Sequence, residues 1–63
     1  MKERIIAEAI SAMIDAENTC GTNEYPYHTG RIFALMTVYG DRIEFKKRVM
    51  SDPRAVETWK DHF

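Results

Sequence analysis

The stretch IFALMTVYGDRIEFKKRVM, residues 32–50, decides the fold. Within it Ile32, Met36, Tyr39, Ile43, Lys46 and Met50 recur at spacings of 4, 3, 4, 3 and 4, the period of one side of an α-helix. Leu35, Val38, Arg42, Phe45 and Val49 form a second row at the same alternation. Two adjacent rows, mostly apolar, need more cover than one short neighbouring helix supplies. Gly40-Asp41 falls in mid-pattern. Glycine inside a helix costs about 1 kcal/mol relative to alanine. Asp41 followed by Glu44 also has the form of a new helix cap. Because the seam keeps its phase across Gly40, the pattern predicts one helix over 29–50, N-capped by Thr29, with Gly40 as the site of any kink.

Upstream, residues 3–18 read as an amphipathic helix. Arg4, Glu8, Ser11, Asp15 and Asn18 make a polar stripe at spacings of 4, 3, 4 and 3, covering about 80° of the circumference at 100° per residue. Ile5, Ile6, Ala9, Ile10, Ala12, Met13, Ile14 and Ala16 occupy most of the remainder. So wide an apolar arc predicts two or more neighbours. Ala9, Ala12 and Ala16 would let another backbone come close. The run Asn18-Thr19-Cys20-Gly21-Thr22-Asn23 closes the helix, with Gly21 suited to a left-handed terminus. Glu24-Tyr25-Pro26-Tyr27 then predicts an extended connector, since a residue before proline avoids helical angles. Tyr25 and Tyr27 either pack over the end of the hairpin or form an aromatic platform for a peptide or base.

Downstream, Ser51-Asp52-Pro53 breaks the second helix and opens a third over 53–62, where Val56, Trp59 and Phe63 share one face. No useful alternating pattern occurs. The expected class is all-α: one helical domain over 1–63, an antiparallel hairpin with a short C-terminal helix across one end. A 63-residue chain buries only about 60% of its unfolded surface, and a single cysteine, Cys20, excludes an internal disulfide. Pairing of two hairpins into a four-helix-bundle-like homodimer is the expected remedy. Ile6, Ile10, Met13, Met36, Tyr39 and Ile43 are the expected self-association residues.

Charged residues make up 30% of the chain and sum to −1. Residues 1–24 carry two basic and five acidic groups, and residues 25–50 five basic and two acidic ones. No stretch approaches the roughly 20 apolar residues of a membrane span, and the charge-interrupted start lacks the apolar core of a secretory signal. A reducing cytoplasm is therefore expected. Zinc ligands usually come as closely spaced pairs, whereas Cys20, His28 and His62 stand apart, so neither metal nor cofactor is expected. Nucleophilic catalysis by Cys20 would need a base, an orienting group and a pocket, and no enzymatic activity is expected.

The basic segment Arg42, Lys46, Lys47 and Arg48, with Phe45 among them, is the candidate contact surface. It would bind a partner or nucleic-acid phosphates, or else pair with Glu8, Asp15 and Glu17 across the hairpin or dimer. A helix-turn-helix needs a sharp turn of three or four residues, which the unbroken seam opposes.

In length, in helical character, in its Met1-Lys2-Glu3-Arg4 start and in its Ser51-Asp52-Pro53 break, the whole chain resembles the small accessory proteins encoded in the exo–xis early region of phage lambda. The resemblance implies an early, non-enzymatic helical protein of the host cytoplasm that modulates host physiology or lysis–lysogeny development. It carries over no functional residue. The resulting expectation is a small interaction protein that binds an unknown host or phage protein, with Tyr25 and Tyr27 as further contacts. The alternative is a helical nucleic-acid-binding factor using 42–48.

Overall fold

The computed structural model describes residues 1–55. They form three helices, α1 (Lys2–Asn18), α2 (Tyr25–Tyr39) and α3 (Arg42–Met50). The all-α class is as expected, and the described residues contain no strand.

Helix α1 follows the reading of its sequence. It is closed by threonines as much as by glycine. The Thr19 hydroxyl donates to the Asp15 carbonyl at 2.8 Å, and the Thr22 hydroxyl to the Thr19 carbonyl at 2.7 Å. Gly21 then takes a φ of +86°, open to glycine because it lacks a Cβ.

The connector is shorter than expected, because α2 begins at Tyr25 and the Glu24–Tyr27 segment is not extended. Pro26 sits in the first turn, where its missing N–H has no helical partner to lose. Thr29 is not the cap. It lies inside α2, and its hydroxyl donates to the Pro26 carbonyl at 2.9 Å.

The single helix expected over 29–50 is two helices. Gly40 adopts φ +93° and ψ −37°, and Asp41 is extended, its carboxylate accepting from the Glu44 N–H at 3.0 Å. Length explains why the break prevails over the shared phase. At 1.5 Å per residue α1 is about 26 Å long, whereas an unbroken 25–50 helix would reach about 39 Å. Its last two and a half turns, about 13 Å, would then overhang α1 with Phe45 and Val49 uncovered. Turning at Gly40 brings these two residues into the core, where both are fully buried. The turn also rephases the helix. Phe45 and Val49 come from the second row, while Ile43 of the first row is 83% exposed.

The hairpin is antiparallel. Asp15 near the end of α1 meets Arg31 near the start of α2, and Lys2 at the start of α1 lies over the ring of Tyr39 at the end of α2. The core draws Ile6, Ala9, Ile10, Ala12, Met13 and Ala16 from α1, Ile32 and Tyr39 from α2, and Phe45 and Val49 from α3. The three alanines are completely buried, in keeping with close helix approach. Residues 51–55 form a turn in which the Asp52 carboxylate accepts from the Arg54 backbone N–H at 2.8 Å and from its guanidinium at 3.0 Å. That half-buried carboxyl is held below its ordinary range by those bonds. The helix expected over 53–62 does not start within these residues, and its remainder, with Val56, Trp59 and Phe63, lies outside the described ones.

Candidate interaction surface

The residues expected to self-associate are largely used inside the chain. Ile6, Ile10, Met13 and Tyr39 are buried in the core, and Met36 is half-buried against it. Apolar side chains that already fill one core cannot also present a face to a second molecule without unpacking it. Of the six, Ile43 alone is exposed.

Tyr39 is the junction of all three helices. Its ring meets Phe45 edge-on at 5.7 Å, Lys2 Nζ lies 5.0 Å from its centroid, and its hydroxyl accepts from Arg48 Nη1 at 3.1 Å. Arg48 therefore belongs to the fold. Its guanidinium also helps the backbone amide and the N-terminal ammonium to hold the exposed Glu3 carboxyl below its ordinary range.

The other three cations of the basic segment stand differently. Arg42 and Lys47 are exposed, Lys46 is half-buried, and none forms an ion pair with a described residue. On the α3 circumference Ile43 and Lys47 lie opposite Phe45 and Val49, with Lys46 toward their side, whereas Met50 packs against the core. The outward side of α3 thus combines an exposed isoleucine with cations that have no acidic partner among the described residues.

The cross-hairpin pairing expected for these cations is made instead by Arg31. Its guanidinium lies 3.8 Å from Glu8 Oε2 and 3.5 Å from Asp15 Oδ2. The same group is 3.2 Å from Nδ1 of His28, which accepts when that nitrogen carries no proton, and 5.9 Å from the Tyr27 ring centre. Arg31 was legible in the sequence as the one Lys or Arg between Arg4 and Arg42. The acidic half-turns of α1 had no other cation within reach along α2. Tyr27 is exposed and borders this cluster, edge-on to His28 at 5.1 Å, whereas Tyr25 is half-buried against the core. The two tyrosines therefore do not make a paired platform.

A second surface feature is an open, mostly apolar groove of about 270 Å³ between α1 and α2, lined by Met1, Arg4, Ile5, Glu8 and Leu35. Val38, 70% exposed, lies one turn beyond Leu35. Among the described residues no three His, Cys, Asp or Glu side chains converge on a metal position. No described helix is long and apolar enough to cross a membrane. No family model, curated protein or solved structure matches the chain.

Proposed function

We propose that this chain is a small, non-enzymatic interaction protein, homodimeric and cytoplasmic, that acts by binding another protein through the outward side of α3. The observation that carries the reading is the pairing of Ile43, 83% exposed, with Arg42, Lys46 and Lys47, which meet no carboxylate among the described residues. A desolvated aliphatic anchor with a charged rim is the usual anatomy of a protein contact. The resemblance to early accessory proteins of temperate phages supports a host or phage regulatory protein as the partner. The test is capture from nuclease-treated host lysate by the native chain and by Ile43→Asp. One stoichiometric protein retained by the first and lost by the second, with equal helicity, is the expected result. Equal retention by both overturns it.

The same three cations favour nucleic acid as the second reading. The helix break at Gly40–Asp41 removes the objection from an unbroken seam, although two residues make a tighter turn than the three or four of a helix-turn-helix. With three phosphate contacts, affinity for a labelled duplex would fall about 40-fold between 50 and 200 mM salt. Binding no tighter than that of Lys46→Glu/Lys47→Glu discards this reading.

A further inference from the structure

The groove between α1 and α2 has a property that suits one particular occupant. Its floor is apolar, from the half-buried Ile5 and Leu35, with Met1 exposed at one end, while the side chains of Arg4 and Glu8 stand on its rim. The two lie one helical turn apart, about 6 Å along the α1 axis. A two-fold symmetric contact must be complementary to itself: what residue i meets on the partner, the partner's copy meets in return. Opposite charges one turn apart beside an apolar strip satisfy that condition when two copies of α1 cross antiparallel. The axis then passes between positions 4 and 8, each Arg4 faces the other copy's Glu8, and the two Ile5–Leu35 strips cover one another.

We infer that the homodimer forms through this groove, with reciprocal Arg4–Glu8 pairs across the two-fold axis. This rests on the dimeric reading proposed above and names its surface. The state of the two charges favours a second copy as occupant. Arg4 is exposed and has no ion pair among the described residues. Glu8 is 52% exposed, and its existing contact to Arg31 is a long one at 3.8 Å, so a carboxylate oxygen remains for a second cation. A foreign helix of one charge sign would meet repulsion at one of the two positions. Val38 extends the apolar strip at the groove's edge. The groove is small beside the roughly 800 Å² per partner of a standard interface, so a dissociation constant in the micromolar range is expected.

The experiment is light scattering on the size-exclusion peak from about 10 µM to about 1 mM for the native chain, Arg4→Glu, Glu8→Arg and an equimolar mixture of the two variants. The native chain should approach twice 7.4 kDa as concentration rises. Each variant alone faces like charges at both positions and should dimerise on the order of 30-fold more weakly. The mixture should recover the native mass. The glutamate introduced by Arg4→Glu then meets the arginine introduced by Glu8→Arg, and the unchanged Glu8 of the first chain meets the unchanged Arg4 of the second. A native monomer throughout, an Arg4→Glu dimer as tight as the native one, or a folded mixture that stays monomeric overturns the inference. Arg4→Glu breaks no ion pair within the described residues, so it carries the test even if Glu8→Arg, which adds a cation beside Arg31, loses helicity. Ile43→Asp should leave the mass unchanged. Partner capture that persists in a native monomer would refute the dimer and leave the α3 reading standing.

Discussion

The α1–α2 hairpin and helix α3 draw on similar apolar material and use it in opposite ways. Along α1 six residues of the core are buried, and the flanking carboxylates Glu8 and Asp15 are gathered by one arginine from α2. Helix α3 buries only Phe45 and Val49 and keeps Ile43 in solvent beside cations without acidic partners among the described residues. The difference follows from length and neighbours. The hairpin covers itself along its whole axis, whereas nine residues turned back at Gly40 can offer the core little more than two side chains. What is left over on α3 is surface, and surface of mixed apolar and basic character is what a partner can read.

The comparison breaks most directly at Phe45. Phe45→Ala removes the largest fully buried side chain among the described residues and should cost about 3–5 kcal/mol, visible in urea melts. In native-state hydrogen exchange, the amides of α3 should lose protection before those of α1. Simultaneous loss across all three helices would mean that the two regions are one cooperative unit.

A smaller effect is expected at the corner. Gly40→Ala places a Cβ on a backbone at φ +93° and should destabilise by roughly 1–2 kcal/mol, although nothing lies within 4 Å of the added atom. A neutral thermal melt would show that the corner relaxes to another conformation. Tyr39→Phe tests the junction alone. It removes the hydroxyl that accepts from Arg48 while keeping the ring on Phe45, and should cost about 1 kcal/mol.

The smallest effect is electrostatic. Glu3 and Asp52 have carboxyls held below their ordinary range. Each folded-state value lies below the unfolded one, so their contribution is present above the unfolded pKa and is lost as pH falls through the folded pKa. Glu3 is exposed and the half-buried Asp52 pairs only with the exposed Arg54 two residues away, so acid melts should show a shallow decline beginning below about pH 4.5, without a separate transition. A steep one would point to a carboxylate elsewhere.

The helical class and the extent of α1 were legible because strict spacing and a wide apolar arc admit few alternatives. The turn at Gly40 was not. The even spacing of Ile32, Met36, Tyr39 and Ile43 reads the same whether or not the chain turns, and it masks the Asp41–Glu44 cap that the structure uses. For the same reason Ile6, Ile10, Met13 and Tyr39 looked available for self-association. Periodicity identifies an apolar face without saying whether the chain's own third helix will cover it. Three of the four basic residues in 42–48 are exposed or half-exposed without an acidic partner among the described residues. Arg48 is held by Tyr39, a contact that exists only because the corner brings the two together. Arg31 had a plain signal in its isolation among the basic residues.

The turn at Gly40 and Asp41 also bears on how this chain tolerates changes of length. One residue added within α3 would rotate everything after it by about 100°. Val49 would then leave the core, and the basic rim would be dealt onto the wrong side. A residue added between Tyr39 and Asp41 lengthens an exposed elbow and leaves both helical phases intact. Insertions in the second half of the protein should therefore be survivable at the elbow and harmful a few residues to either side.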